Sequence, residues 1–84
     1  MHQISLYFKR IIKLDELIRS EKTGTPSKLA KRFKISERSI FNYLKFMKDE
    51  MKSPIIWDDE KKSYVYSRKG VLNIGWVKNT PKKK

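Results

Sequence analysis

The chain has 84 residues, carries a net charge of +12 and contains no cysteine. Its length allows one small domain with a thin core, and the absence of cysteine excludes disulfides and thiolate metal sites. The excess of basic residues favours a polyanionic partner, although a generic solubilising surface is the simpler interpretation.

Membrane insertion and cofactor binding are not expected. The longest uncharged runs, residues 1–8 and 70–77, are far shorter than the roughly 20 apolar residues that cross a bilayer. The start of the chain lacks the charge order of a secretion signal, and the single histidine, His2, lies next to the terminus. We therefore expect a cytoplasmic (nucleoid-associated) protein with no metal or other cofactor.

The first predicted element is a helix over residues 4–21. Its apolar residues recur at helical spacing and predict one buried stripe. This stripe contains Ile4, Tyr7, Phe8, Ile11, Leu14, Leu17 and Ile18. Polar residues fill the other face, and Gly24 is expected to end the helix.

Two helices are predicted next, separated by a break in the apolar pattern at residues 34–35. The second helix is about eight residues long and begins after Thr25, a good cap, with Pro26 in its first turn. The third begins after the cap Ser36 and runs to about Glu50. Its inner stripe is Ile40, Tyr43, Leu44 and Met47. So short a joint forces the two helices to cross steeply, as in a helix-turn-helix.

A β-hairpin is predicted after Pro54. Residues 55–57 and 64–66 are rich in β-branched and aromatic side chains, and the polar residues 58–62 form the turn. The turn lacks glycine, which favours a loop longer than two residues. Residues 71–77 alternate in a way that predicts either a third strand or an arm that packs on a partner subunit. We expect a domain over residues 1–78 and a disordered basic tail over residues 79–84.

The sequence SKLAKRFKISERSIFNYLKFM, residues 27–47, resembles the winged helix-turn-helix of bacterial transcription regulators. It is most similar to the small N-terminal HTH domain of biotin-repressor-like, DeoR-like and WYL-type regulators. The matching residues are Leu29-Ala30, Phe33, Ile35-Ser36, Arg38-Ser39-Ile40-Phe41 and Leu44, and PIIWDDEKKSYVY matches the wing. The resemblance covers residues 8–67. It implies an α+β fold: a three-helix winged helix-turn-helix with a C-terminal β-hairpin wing.

Two departures from this family affect the expectations. Lys34 occupies a turn position that usually holds glycine, so it must adopt a left-handed conformation at a cost of about 1 kcal/mol or more. Family members usually carry a C-terminal sensor domain, and the 84-residue sequence has no counterpart. Regulation by a small-molecule effector is therefore not carried over from the family, and no such effector is evident from the sequence.

The charge distribution agrees with a DNA-binding role for the motif. Residues 23–48 carry seven basic side chains and one acidic, which gives +6 of the total +12. An α-helix fits the major groove of B-DNA, and its N-terminal residues reach the base edges. We expect the third helix to read double-stranded DNA.

Four residues outside its inner stripe are candidates for base reading: Arg38, Phe41, Asn42 and Lys45. Arginine pairs with guanine and asparagine with adenine through two hydrogen bonds, and an aromatic ring can contact a thymine methyl. Lys45 can reach a base or a phosphate. For Arg38 and Asn42 the alternative is a solvated surface, and for Phe41 it is a half-buried place in the core.

The candidates for phosphate binding lie at helix starts and in the wing: Thr25, Ser27, Lys28, Ser36, Ser39, Lys61 and Lys62. Helix N-termini bind phosphate readily. The hydroxyls of Thr25 and Ser36 can instead serve only as caps. The wing tip also holds three acids, so it is expected to lie beside the DNA backbone or to make no contact.

Other classes of function are less well supported by the sequence. No catalytic constellation is present, so an enzyme is not expected. A protein–protein assembly module and an RNA-binding winged helix remain alternatives, because a fold does not fix a function. Our main hypothesis is sequence-specific DNA binding by a homodimer formed through the first helix or through residues 70–77.

Overall fold

A computed structural model of the chain describes residues 2–72, with side chains from residue 5 onwards. Three helices precede two strands: α1 (His2–Arg19), α2 (Pro26–Phe33), α3 (Glu37–Asp49), β1 (Ile55–Asp58) and β2 (Ser63–Tyr66). The two strands pair as an antiparallel hairpin. This order confirms the predicted α+β fold and is consistent with a winged helix with a C-terminal wing. The expectations for residues 73–84 lie outside the described residues.

The C-terminus of α1 differs from the prediction. The helix ends at Arg19, and Glu21, not Gly24, adopts the left-handed conformation that closes it, with φ of 60°. The Lys22 amide donates to the Leu17 carbonyl and the Glu21 amide to the Ile18 carbonyl, which satisfies two of the last carbonyls of the helix. Gly24 has φ of 72° in the connection to α2, where an added Cβ would lie 3.0 Å from the Lys28 side chain.

The buried stripe of α1 is shorter than predicted. Ile11, Leu14 and Ile18 are buried in the core, together with Leu17. Tyr7 and Phe8, which were assigned to the same stripe, are about half exposed. The periodicity identified the apolar side of the helix correctly, but among the described side chains, which do not include Ile4, the rest of the fold covers that side only from about residue 11 onwards.

Helices α2 and α3 meet as the sequence predicts. Lys34 has φ of 60° and ψ of 43°, so it ends α2 in the left-handed conformation. The Ile35 amide donates to the Ala30 carbonyl across 3.1 Å, and Ile35 packs partly buried against the core. Leu29 and Ala30 form the buried face of α2, and the small Ala30 side chain allows a close crossing with α3.

The hairpin has a four-residue loop, residues 59–62, as expected for a turn without glycine. Ile55 pairs with Tyr66 and Asp58 with Ser63 at the two ends of the ladder. The Asp58 carboxylate accepts from the Glu60 and Lys61 amides and so shapes the loop. Trp57 and Tyr64 stack edge to face across the two strands, 5.0 Å apart.

Side-chain bonds attach the hairpin to the helices. The Tyr66 hydroxyl donates to Asp15 of α1 across 2.6 Å, and Arg19 donates to both oxygens of the same carboxylate at 2.8 Å. Ile55 is buried in the core, and Val65 is buried on the opposite face of the hairpin. The hairpin therefore has a fixed position relative to α1, not that of a free arm.

No helix in the described stretch combines the length and apolar character that crossing a membrane requires.

Candidate nucleic-acid interface

Helix α3 presents two distinct faces. Its inner residues are buried as predicted: Ile40, Tyr43, Leu44 and Met47. On the opposite face, Arg38, Asn42 and Lys45 follow one another at intervals of four and three residues, and all three are exposed. Because the core fixes the inner face, these three side chains form one outward line, which we call the α3 line.

Arg38 is the most available cation of the α3 line. It lies in the first turn of α3, where a recognition helix contacts bases, and no ion pair within residues 5–72 involves it. Its guanidinium keeps five donors in a planar fork, which suits the two acceptors of guanine. Asn42 lies one turn later, where its amide can both donate and accept.

Lys45 is paired in a way that the sequence interpretation did not consider. Its ammonium lies 2.7 Å from the Asp49 carboxylate, one turn further along the same face. The hydrogen bond from Lys45 and its positive charge lower the pKa of Asp49. The hydrogen bond to Asp49 and its negative charge raise the pKa of Lys45. Both side chains are mostly solvated, so the pair is weak and its lysine can exchange partners. Asp49 nevertheless places an acid on the face expected to approach DNA.

Phe41 does not belong to the core. Its side chain is 48% exposed, on the flank of α3 next to the α3 line. The half-buried ring is not among the side chains packed against the core cluster, and its exposed half is accessible to a base methyl or to a protein surface. Phe46, on the opposite flank, is also about half exposed.

The helix starts carry the caps that the sequence predicts. Thr25 accepts from the Lys28 amide at 3.2 Å, and Ser36 accepts from the Ser39 amide at 3.0 Å. Both hydroxyls therefore serve as caps, the simpler of the two roles considered. The Ser36 hydroxyl also donates to Ser39, whose own proton remains for another acceptor. Ser27 and Lys28 are exposed in the first turn of α2, close to the positive end of the helix dipole.

The two wing lysines bind acids of the same chain. Lys61 lies 3.1 Å from Glu21, in the connection after α1, and Lys62 lies 3.1 Å from Asp59 in the wing loop. The hydrogen bond from Lys62 lowers the pKa of Asp59, and the hydrogen bond to Glu21 raises the pKa of Lys61. A phosphate must displace these exposed carboxylates before the wing can bind it.

The sequence interpretation missed the contacts of three residues. Thr23 and Ser63 are buried against each other and fix the wing to the segment that precedes α2. No local pattern indicates this contact, because the two residues lie 40 positions apart. Asp49 was missed although its spacing of four residues from Lys45 is typical of a helical ion pair.

The structure therefore groups the candidates in three places. Arg38, Asn42 and Lys45 share one face of α3, with Phe41 beside them, while the hydroxyls and Lys28 lie at the two helix starts. The wing lysines point to Glu21 and Asp59.

Among the described residues no group of three or more acidic, histidine or cysteine side chains is placed to hold a metal ion. Comparison with protein-family models, curated proteins and solved structures finds no match to this chain.

Proposed function

We propose that the protein binds double-stranded DNA sequence-specifically and acts as a small transcription regulator, with α3 in the major groove. The observation that carries the proposal is the α3 line: an arginine, an asparagine and a lysine on one exposed face of a helix whose other face is buried. Arginine and asparagine are the side chains that distinguish guanine and adenine by paired hydrogen bonds.

Charge and helix geometry support the same proposal. The segment that contains α2, the turn and α3 carries +6, half of the net charge of the chain. Phosphate contacts set the position of a protein on DNA, and base contacts give specificity. Lys28 and the Ser39 hydroxyl, at the two helix starts, are suited to phosphate contacts, and Arg38 is suited to a base contact.

Selection from random DNA duplexes tests the proposal directly. We expect one enriched motif, and we expect Arg38→Ala to weaken binding to it by about 1–3 kcal/mol and to relax selection at one base pair. Lys28→Ala should weaken binding to all sequences alike and reduce the salt slope by about 0.9. Arg68→Ala is the matched control, because Arg68 is exposed beyond β2 and lies beside Tyr66 and Arg19.

A selection without an enriched motif, together with equal affinities for wild type and Arg38→Ala, would exclude base reading by α3. Competition with duplex RNA tests the RNA alternative. If α3 reads the major groove of DNA, duplex RNA should not displace the DNA, because the deep and narrow major groove of A-form RNA does not admit a helix.

A protein–protein assembly module is the second candidate function. Two observations favour it: Phe41 is half exposed, and Asp49 carries a negative charge on the face that would meet phosphates. An assembly module would show only weak, sequence-independent DNA binding that Arg38→Ala and Arg68→Ala reduce equally. The same selection and the same two variants therefore decide between the candidates.

A further inference from the structure

Arg10 of α1 is a partly buried cation next to α3. Its guanidinium donates to the Tyr43 hydroxyl at 3.1 Å, and within residues 5–72 no acid forms an ion pair with it. A guanidinium has five N–H donors, so this bond leaves most of them for another acceptor. A cation in a partly apolar site favours an anion beside it, because water screens the charge less there than at an open surface.

Arg10 lines a groove of about 510 Å³ between α1 and α3. The Ser39 hydroxyl and the Asn42 amide line the same groove, and Ser39 keeps its proton for another acceptor because it accepts from Ser36. No acidic side chain of the described residues lines the groove. The groove is therefore suited to an anion. Its walls are largely aromatic: Tyr7, Phe8, Tyr43 and Phe46.

The groove opens beside the α3 line. Ser39 follows Arg38 by one residue, which is about 100° around the helix, and Asn42 belongs both to the α3 line and to the groove lining. A helix with its side chains is about 10–12 Å across and the major groove is about 12 Å wide, so both flanks of an inserted helix lie against sugar-phosphate strands. With the α3 line at the base edges, the flank that contains Ser39 and Phe46 faces one strand, and Arg10 lies on that side.

A DNA strand matches this groove better than a free phosphate ion does. A phosphodiester carries one negative charge, and its oxygens accept hydrogen bonds from charged donors such as Arg10 and from hydroxyls such as that of Ser39. The deoxyriboses on either side of it present C–H surface, which can pack against the aromatic walls. A free phosphate ion would use the donors and leave those walls in water.

We propose that Arg10, positioned by the Tyr43 hydroxyl, binds a backbone phosphate of the DNA strand that lies along this flank of α3. The inference rests on the proposed function, since it takes α3 to lie in the major groove. Arg10 is then a positioning residue, because phosphate contacts fix how a protein lies on the duplex. The Tyr43 ring belongs to the buried face of α3 while its hydroxyl reaches Arg10, so one bond fixes the guanidinium relative to the reading helix.

Affinity for the selected duplex, measured by fluorescence anisotropy at several salt concentrations, tests the contact. Arg10→Met keeps an aliphatic side chain and removes the charge. We expect it to lower the affinity about tenfold and to reduce the salt slope by about 0.9. Lys9→Met is the matched control, because it removes the same charge from an exposed neighbouring position that does not line the groove.

Lys9→Met should change the affinity less than about twofold and leave the salt slope as it is, since solvent ions screen an exposed charge that contacts no phosphate. Circular dichroism should show folded protein for both variants. Equal losses of affinity for Arg10→Met and Lys9→Met would overturn the inference, because they would report the general charge of α1 and not a contact.

Neutral backbone linkages identify the phosphate itself. Each duplex carries the selected motif with one methylphosphonate, which replaces a charged phosphate oxygen by a methyl group. We expect a few positions at which this change weakens binding of the wild type. At one of them the change should no longer weaken binding of Arg10→Met, whereas Lys9→Met should keep every sensitive position. An Arg10→Met variant that also keeps every sensitive position would overturn the contact.

Tyr43→Phe tests whether the hydroxyl positions Arg10. The variant keeps the aromatic ring and the Arg10 charge and removes only the acceptor. We expect it to lower the affinity about threefold in the wild-type background and to have no further effect in Arg10→Met, because the two residues act through one bond. An equal effect in both backgrounds would overturn the role assigned to Tyr43.

Loss of the Arg10 contact and loss of base reading give different results. A motif that Arg38→Ala relaxes, together with wild-type binding by Arg10→Met, would remove the contact and leave the proposed function. If no motif is enriched but Arg10→Met still lowers affinity and salt slope on every duplex, the phosphate contact stands and base reading fails. A chain that binds no duplex would overturn both.

Discussion

Thr23 and Ser63 join the wing to the helical part of the molecule through a buried pair of hydroxyls. The two oxygens lie 3.1 Å apart, and the Thr23 amide donates to Ser63 Oγ across 3.0 Å. Both residues are buried, at 3% and 0% exposure. The Tyr64 amide donates to Thr23 Oγ1 at 2.8 Å, so a side chain accepts where a neighbouring strand would offer a carbonyl. The segment before α2 therefore fixes where the hairpin lies.

Thr23→Val is expected to destabilise the fold by about 1–3 kcal/mol. Valine has nearly the same shape, but it leaves the partly buried Tyr64 amide without its acceptor, while the Ser63 hydroxyl loses one of three contacts and keeps the Thr23 amide and the Tyr64 carbonyl. Urea denaturation measures the change in the free energy of unfolding. Ser67→Ala, at an exposed serine just after β2, is the control and should stay within about 0.5 kcal/mol of wild type. Equal stability of the two variants would show that the buried pair does not hold the wing.

Asp49→Asn is expected to strengthen DNA binding about two- to fivefold at low salt. The change removes an acid from the α3 face and releases Lys45 from its ion pair, at the small cost typical of an exposed pair. Fluorescence anisotropy with a labelled duplex measures the affinity. Glu50→Gln removes the same charge from the end of α3 near Ser53 and Tyr66, away from the α3 line, and should have less effect. Unchanged affinity for Asp49→Asn would mean that this part of α3 does not approach DNA.

Lys34→Gly is expected to raise the free energy of unfolding by about 0.5–1 kcal/mol. Lys34 has φ of 60°, which glycine adopts without steric cost, although glycine also gains entropy in the unfolded chain. Lys31→Gly removes the same charge from inside α2 and should lower the free energy of unfolding by about 1 kcal/mol. Thermal denaturation measures the stability of both variants. A change in the same direction for Lys34→Gly and Lys31→Gly would contradict the prediction.

Stability should fall in alkaline solution because of Tyr66. Partial burial, followed by its hydrogen bond to Asp15, raises the pKa of the Tyr66 phenol well above the ordinary 10.0. A raised folded-state pKa gives stabilisation that is complete below pH 10 and is lost as the pH rises through the folded-state pKa. We therefore expect the stability difference between wild type and Tyr66→Phe, measured by urea denaturation, to shrink above about pH 10.

A constant difference between wild type and Tyr66→Phe over this pH range would mean that neither burial nor the bond to Asp15 opposes ionisation of the Tyr66 phenol in the folded protein.

Local patterns were sufficient to predict the helix-turn-helix. The inner stripe of α3 follows from a period of 3.6 residues, and the caps Thr25 and Ser36 follow from the chemistry of free amides at helix starts. The left-handed conformation of Lys34 was expected from the family resemblance, in which this turn position usually holds glycine. Each of these features depends on residues within one or two turns of each other.

Features that depend on distant contacts could not be predicted. The bonds from Thr23 to Ser63 and from Glu21 to Lys61 each join residues 40 positions apart, and no spacing rule covers such a distance. The exposure of Tyr7 is a different case. Periodicity reports which side of a helix is apolar, but not how far along the helix its neighbours extend.

The ion pairs at the wing tip determine what a salt titration can detect. Lys61 and Lys62 already neutralise Glu21 and Asp59. If either lysine moves to a phosphate, DNA releases a cation while the abandoned carboxylate attracts one, and the net ion exchange is near zero. The slope of affinity against salt would therefore count contacts from Lys28 and Arg38, which form no ion pair among residues 5–72, and would miss the wing. Cross-linking from the loop at residues 59–62 to the DNA backbone detects such a contact where ion counting does not.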